Sequence, residues 1–491
     1  MTVVPITTSR DTQLQPQSPP WWRDRLFKQI MAFIPEADFY SDYYNGDHPL
    51  PWLAPQARDE FKRIIQMTRS NYMGLVCDAQ VERIHVEGFR IGGEQKADKD
   101  SWAIWQSSNM DNDSDIAWLE AAIASRSYIM VEPNPERPDR PRMSVEVGTQ
   151  AITESFPGNR RKLAAGMKVF TDDWTGNLNA TLYQMIEGSL YVFKYEAEMS
   201  SNEALNSSSK PQWKPRLVGG EEWGGRVDGM DRIPLHPVLN NPRATGGRSE
   251  LYDLTDIQDR INKTLADRLI ASDYGSFPQK WATGWPTEDD EGNEMQAPTG
   301  RNRMLTTDIA ETKFGQFQAE DLDQYNKAKH EDVKDVASRS RTPAQYLLGE
   351  MANVNGETLK ASESGLIAKV KQRMRGYSEA AEEAMKTART LAGIGTEADD
   401  QMEAIFANPE FRTEGELTDA VIKRFQSGIS SLRQSRVDVG YSQAQIEDLE
   451  KDDARESVSA EVRAAVQGLV RGGGQTPNGV TGGNSDTTVT R

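Results

Sequence analysis

No proline interrupts the chain between Pro343 and Pro409, and within that span the run from Gly356 to Leu391 keeps a helical spacing. At 1.5 Å per residue this predicts a strut about 50 Å long. Leu366, Ile367, Val370, Met374 and Tyr377 line its apolar side, and Lys360, Lys369, Lys371, Arg373 and Arg375 a basic one. The basic side is expected to face solvent or to meet acidic residues of a neighbouring copy. Glu357 and Glu363 near the start suit the positive end of the helix dipole. Directly ahead stands "GEMANVNG", Gly349 to Gly356, in a stretch without Lys or Arg from Thr342 to Thr358. By itself such a segment is an ordinary helix–helix connector.

At 491 residues the chain has room for about three domains or one elaborate subunit. The net charge of -18 disfavours a general grip on nucleic acid, which needs a basic footprint, but does not exclude a surface past which DNA slides. One cysteine, Cys77, excludes an internal disulfide framework and a cysteine-rich zinc module. Its apolar neighbours in "NYMGLVCDAQVERI" predict a buried, inert thiol. No run approaches the ~20 apolar residues that cross a bilayer, and the opening "MTVVPITTSRDTQLQPQSPPWW" shows no secretory signal.

Along the chain, residues 1–41 read as an arm, polar and Pro-rich, that closes on a short amphipathic helix, "WWRDRLFKQIMAFI". Residues 42–248 read as α+β. Helices lie in "APQARDEFKRIIQMTRSNYMGLVCDAQVERI" and twice in "SWAIWQSSNMDNDSDIAWLEAAIAS"; strands follow from Tyr128 through "RMSVEVGTQAITESF", "RKLAAGMKVFTDD", "NATLYQMIEGSLYVFKYEAE" and "QWKPRLVGG". "SSNEALNSSSK", from Ser200 to Lys210, is expected to be a hairpin tip or a disordered insertion. Ser249 then reads as the N-cap of a helix reaching Ser272, with Leu251, Leu254, Ile257, Ile261, Leu265 and Leu269 as one apolar stripe. A Pro- and Gly-punctuated excursion carrying Trp281, Trp285, Arg301 and Arg303 leads to a polar helix over Ala319–Ser340. After the strut a further helical module begins at "ELTDAVIKRFQSGISSLRQSRVDVGYSQAQIEDLEKDDARES", and the tail lacks the apolar residues to offset ordering.

Catalytic signatures are absent. No G-x-x-x-x-G-K-[ST] loop occurs. "HEDVK" at His330 has Lys334 where a zinc helix needs its second histidine. Asp111, Asp113 and Asp115 copy half a calcium loop, but Ile116 and Ala122 occupy the positions that need Gly and Glu. Asp172 and Asp173 lack partner carboxylates that the sequence alone assigns.

The order of these segments resembles that of bacteriophage portal proteins, most closely those of long-tailed actinobacteriophages. "SELYDLTDIQDRINKTLADRL", "TPAQYLLGEMANVNGETLKASESGLIAKVKQRMRGY" and "LTDAVIKRFQSGISSLRQSRVDVGYSQAQIEDLEKDD" carry the resemblance, which spans about Tyr43 to Glu456. It implies an α+β portal-type subunit with a wing, a two-helix stem, a small α/β clip, a tunnel loop with a long spine helix, and a helical crown. By position these are residues 1–41 (arm), 42–248 and 357–400 (wing and spine), 249–273 and 319–340 (stem), 274–318 (clip), 341–356 (tunnel loop), 401–468 (crown) and 469–491 (disordered tail). It further implies a ring, typically of twelve copies, at one capsid vertex of the virion, assembled in the bacterial cytoplasm and without cofactor, metal or catalysis. Implied partners are the major capsid protein, the terminase large subunit, a head–tail adaptor and passing double-stranded DNA, with no membrane.

Under that reading Gly349, Glu350, Met351, Ala352, Asn353, Val354, Asn355 and Gly356 face the DNA channel. Trp281, Trp285, Arg301 and Arg303 meet terminase or adaptor, although the tryptophans also suit a small module's core and the arginines ordinary turns. The Leu251–Leu269 stripe packs the stem, on its own core or on the next copy. Two rival readings stand beside it: a metal-dependent hydrolase or nuclease using Asp172 and Asp173, and a capsid-associated scaffold or adaptor without a channel.

Overall fold

The computed structural model of the chain describes residues 15–52, 62–93, 97–206, 210–218, 221–222, 224–243, 246–275, 280–284, 310–316, 321–349, 356–410, 414–441, 445–446 and 448–455. It divides into two units, Met1–Pro409 and Glu410–Arg491. The first begins with α1 (Pro19–Asn45), α2 (Lys62–Gln66), α3 (Met73–Val81), β1 (Val86–Arg90), α4 (Lys99–Ser107) and α5 (Met110–Ala124). Strands β2 (Arg126–Glu132), β3 (Arg142–Val147), β4 (Ala151–Phe156), β5 (Asn159–Thr171), β6 (Leu178–Ile186) and β7 (Ser189–Ala197) follow. Then come α6 (Ser201–Asn206), the short strands β8 (Lys214–Pro215), β9 (Leu217–Val218), β10 (Glu221–Glu222) and β11 (Gly224–Arg226), and β12 (Leu235–Leu239). The unit closes with α7 (Thr255–Gly275), β13 (Lys280–Thr283), β14 (Lys313–Gln316), α8 (Asp323–Ser340), α9 (Ala344–Leu348), α10 (Gly356–Leu391) and β15 (Glu403–Phe406).

The alternating run from Ala151 to Ala197 folds, as expected, into consecutive antiparallel strands. They form a six-stranded sheet ordered β11-β7-β6-β5-β4, with β8 on β7. A second sheet, β12-β2-β3, lies against it. Strand β2 shows why two layers form: Tyr128 and Met130 point into the core shared with Ala151, Tyr183 and Leu235. Ile129 and Val131, on its other face, enter the main helical core with Trp118 and Tyr377. The fold is thus mixed α+β, with helices on one side of the small sheet and the large sheet on the other.

Four local expectations change. The N-terminal helix does not stop before Pro35 but runs to Asn45, where Gly46 closes it at φ +81°. Burial on two cores holds it past the proline: Trp22, Leu26, Phe27 and Ile30 cover the large sheet, and Tyr40 and Tyr43 join the helical core. Residues 201–206 are helical rather than a bare tip; Ser200 Oγ accepts from the Glu203 amide (3.2 Å), and the Glu203 carboxylate accepts from Ser200 N (2.7 Å). The helix expected from Ser249 begins at Thr255, because residues 250–254 form turns and Ser249 Oγ accepts only from Leu251 N, at 3.1 Å. Gly247 explains the tight approach there, since a Cβ would stand 2.0 Å from the Ser125 carbonyl oxygen. Finally, β15 pairs antiparallel with β1, so the chain stays in the first unit beyond residue 401.

The second unit carries α11 (Glu414–Gln426) and α12 (Leu432–Val439). Ser431 caps α12 by accepting from Gln434 N, and Gly440, at φ +102°, ends it. Arg433–Glu450 (2.7 Å) and Arg436–Asp453 (2.7 Å) tie α12 to the following segment. Residues 456–491, with the tail 469–491, lie outside the described residues.

Candidate functional site

Helix α10 spans the 36 residues that the sequence assigned to the strut. Side chains described along it show three polar anchors on an apolar seam. The seam, Leu366, Val370, Met374, Tyr377, Ala381, Ala384 and Ala388, is buried in the helical core. Alanine recurs toward the C-terminal end because the helix there lies close to β12 and β2.

The first anchor closes the base of the segment that precedes α10. Tyr346 on α9 donates its hydroxyl to Glu363 on α10, and Arg83 donates to Tyr346 Oη at 2.7 Å while lying 3.6 Å from Glu363. Gln345 Nε2 donates to Ser362 Oγ at 2.9 Å. Thus both flanks of residues 349–356 are fastened to each other and to the body. Glu363, whose place near the helix start suits the dipole, is buried. Its hydrogen bond to Tyr346 is the reason.

The second anchor is a buried ionic hub. Glu250 meets Lys369 Nζ at 3.0 Å and Arg373 Nη2 at 3.1 Å, with all three side chains under 8% exposed. Lys369 also donates to the Ser340 carbonyl at the end of α8, 2.7 Å away. Asn240 Nδ2 donates to Glu250 (3.3 Å) and to the Arg248 carbonyl (2.9 Å), and Tyr377 Oη donates to Asn240 Oδ1 at 3.0 Å. Burial alone would raise the Glu250 carboxyl, but the Lys369 and Arg373 charges outweigh it and hold the group below its ordinary value. This corrects the reading of Lys369 and Arg373 as a solvated or inter-copy face. Their partner is a carboxylate of the same chain.

The third anchor is Arg389, which reaches Asp98 at 2.8 Å and Asp399 at 3.0 Å and donates to the Ile394 carbonyl at 3.1 Å. Nearby, burial drives the His236 imidazole down to about 3, and its Nε2 lies 3.0 Å from Thr387 Oγ1. Cys77 is buried and its thiol is pushed well up by burial. That is an inert thiol.

Helices α7 and α8 pack side by side. Arg260 bridges Asp332 (2.8 Å) and Asp335 (2.9 Å), and Arg268 donates to Asn326 Oδ1 (2.8 Å). In the expected stripe, Leu251, Leu254, Ile257 and Ile261 are buried. Leu265 is only partly buried against the same core, and Leu269 is half-buried. Only the root of α7 therefore belongs to the helical core. A polar cluster secures it: Tyr43 donates to Asp259 at 2.9 Å, Gln258 donates to the Ser70 carbonyl at 2.7 Å, and Asn262 accepts from Ser70 N at 3.1 Å. Beyond α7, β13 pairs with β14, and Trp281 lies opposite Gly315. A Cβ on Gly315 would come within 2.4 Å of the Trp281 ring, so the glycine makes room for the indole.

Of the proposed channel residues, Gly349 ends α9 with φ +68° and Gly356 begins α10. Glu350, Met351, Ala352, Asn353, Val354 and Asn355 lie outside the described residues, as do Trp285, Arg301 and Arg303. Asp172 sits on an exposed turn, where its carboxylate accepts from Trp174 N at 2.9 Å. Hydrogen bonds from the Trp174 backbone and the Thr175 side chain lower its pKa, as suits a turn-capping carboxylate. Among the described residues no group of three or more His, Cys, Asp or Glu side chains is placed to hold a metal. The sequence reading missed Arg83, Tyr346 and Glu250 because each acts through a partner remote in sequence.

With this geometry in view, the chain can be set beside known proteins. The profile of the family described as phage portal protein, SPP1 Gp6-like, matches residues 24–458. The chain belongs to this family of phage portal proteins. Among individual relatives, it is 28% identical over 404 residues to the portal protein of Mycobacterium phage D29, covering 79% of each chain. It is 27% identical over 435 residues to the portal protein of Mycobacterium phage L5, covering 85% of each. Among solved structures it is similar to a chain in the neck of a native GTA particle computed with C12 symmetry. That match has a TM-score of 0.39 and 12% identity over 79% of this chain and 95% of the other. A chain from the neck of an empty GTA particle computed with C6 symmetry matches with a TM-score of 0.38 at 13% identity.

Proposed function

We propose that copies of this chain close head to tail into a ring at a capsid vertex, and that double-stranded DNA enters and leaves the phage head through its bore. The chain is the conduit and not an enzyme; a separate terminase ATPase drives packaging, and a head–tail adaptor takes its place afterwards. In this reading α7 and α8 are the stem, the region of β13 and β14 the clip, residues 341–356 the tunnel loop, α10 the spine and the unit from Glu410 the crown.

The observation that carries the reading is the joint between α9 and α10. A segment without Lys or Arg from Thr342 to Thr358 is fastened at its base by the Arg83–Tyr346–Glu363 contacts. It stands on a helix anchored at two further points. Duplex DNA carries one charge per ~1.7 Å, so a bore about 100 Å long would hold roughly 60 phosphates. Were a fraction of these neutralised by Lys or Arg, counterion release would turn each step of translocation into the breaking of a tight complex. A constriction with almost no charge avoids that hold, and its rigid mounting keeps its position against moving DNA.

Mass photometry and negative-stain images of the purified protein are expected to show a large ring with an axial opening. Monomers and dimers alone across salt conditions, or particles without a hole, would exclude a channel. Deletion of Ala352–Asn355 is expected to leave ring assembly intact and to reduce the DNA packaged or retained. Full packaging by that deletion would remove the loop assignment.

A further inference from the structure

Among the described residues, two surfaces of opposite charge in the first unit have no ion-pair partner. The turn joining β4 and β5 presents Arg160, Arg161 and Lys162, all exposed. Arg160 Nη2 donates to the Arg243 carbonyl at 2.8 Å, which adds an exposed fourth cation from the loop after β12. Lys162 lies over the Phe156 ring, 5.4 Å from its centroid, and that ring is itself 36% exposed. Among the described residues no carboxylate stands within ion-pair distance of these four cations. In a chain of net charge -18, an unpaired group of four is an outlier.

The second surface is the outer face of α3 and α5. Leu75 and Asp78 lie three apart on α3, and Ile116 and Glu120 four apart on α5, so each pair shares a helix face. Tyr44 at the end of α1 donates to Asp78 at 2.9 Å. Leu75 and Ile116 are 45% and 47% exposed. Glu120 is partly buried, its pKa is raised by burial, and among the described residues no cation forms an ion pair with it.

We infer that the cationic β4–β5 turn of one copy docks on the α3–α5 face of the next copy in the ring, with Arg161 and Arg243 supplying the cations that Glu120 and Asp78 lack. The chemistry matches in both parts: an aromatic ring among cations meets aliphatic side chains among carboxylates. A phosphate backbone would satisfy the cations but not Phe156. The two patches also sit in different layers. The turn belongs to the large sheet, and α3 and α5 lie beyond the small sheet, whose β2 separates the two cores. Distinct, non-overlapping faces are what a head-to-tail contact needs. This inference rests on the ring reading above and names a contact within it.

The test uses the full chain and reads the ring fraction by mass photometry at about 0.15 M salt, where charges beyond ~8 Å are screened. Arg161→Glu with Arg243→Glu, and separately Glu120→Lys, are each expected to lower the ring fraction about tenfold or more. Combining all three is expected to restore it. If the charge reversals disturb folding, as judged by circular dichroism, Arg161→Gln with Arg243→Gln and Glu120→Gln replace them. Each neutral variant is then expected to fall apart at lower salt than wild type. Wild-type-like rings from every single-patch variant would overturn the contact while leaving the ring reading intact. Loss of assembly that the combination fails to restore would overturn the pairing. Unchanged rings with lost duplex DNA binding would assign the cations to nucleic acid instead. Absence of rings in the wild type would sink the ring reading, and this contact with it.

Discussion

Replacing Glu250 by alanine is expected to destabilise the first unit by about 3–5 kcal/mol, the range seen when one member of a buried ion pair is removed and its partners stay charged. Lys369 and Arg373 are 4% and 7% exposed, so neither side chain reaches bulk water once the carboxylate is gone. Their remaining contacts, the Ser340 carbonyl and Asn241 Oδ1, carry only partial charge. Replacing all three with hydrophobic residues of similar volume (Glu250→Leu, Lys369→Met, Arg373→Met) is expected to cost far less, because no charge is left buried. Denaturant unfolding of the variants at fixed protein concentration checks both values. A loss below about 1 kcal/mol for the alanine variant would show that the cations find solvent, and that the hub does not fasten α8 to α10.

The same hub has a pH signature. The Glu250 carboxyl is held below its ordinary value of 4.5 in the folded chain, because the Lys369 and Arg373 charges outweigh burial. Its contribution is therefore complete above that value and is lost as pH falls through the depressed folded value. Thermal stability is expected to drop on acidification below about pH 4.5, and Glu250→Gln is expected to remove that part of the slope. An unchanged slope would place the acid sensitivity elsewhere.

What could be read from sequence and what could not separates by the range of the interactions involved. The limits of α10 and the strand series from Ala151 to Ala197 follow from spacing within one element, and both were legible. The N-terminal helix was read too short, because its continuation past Pro35 rests on packing with residues remote in sequence, from Met73 onward in the helical core and from Ile152 onward in the large-sheet core. The same holds for Lys369 and Arg373. Their spacing on α10 is that of an ordinary solvated face, and only Glu250, 119 residues upstream of Lys369, makes it a buried one. The candidate loop was visible as composition, a gap in Lys and Arg. Its mounting was not, since Arg83 lies 263 positions from Tyr346. Family membership was legible for a third reason: segment order and distributed patterns survive where no single residue carries the chemistry.

Trp118→Ala is expected to cost about 3–5 kcal/mol, the range for removing a large aromatic from a packed core. Trp118 has no exposed surface and stacks on Tyr377, with centroids 4.8 Å apart and planes 7° from parallel. Among the described residues its indole Nε1 has no hydrogen-bond partner, so packing is what holds it. Trp118→Phe gives up volume and part of the stack but also removes that unsatisfied donor, and is expected to cost under about 2 kcal/mol. The loss in Trp118→Ala should extend past the cavity, because Tyr377 steadies Asn240, and Asn240 steadies Glu250. Combined with Glu250→Ala, it is therefore expected to give less than the sum of the two losses, with a coupling of about 0.5–3 kcal/mol. Strict additivity in that double-mutant cycle would mean that the aromatic stack and the ionic hub stabilise α10 independently. A shortfall would mean that the helix is held by one continuous network running from Trp118 to the end of α8, so that strain at its loop end is shared with the body.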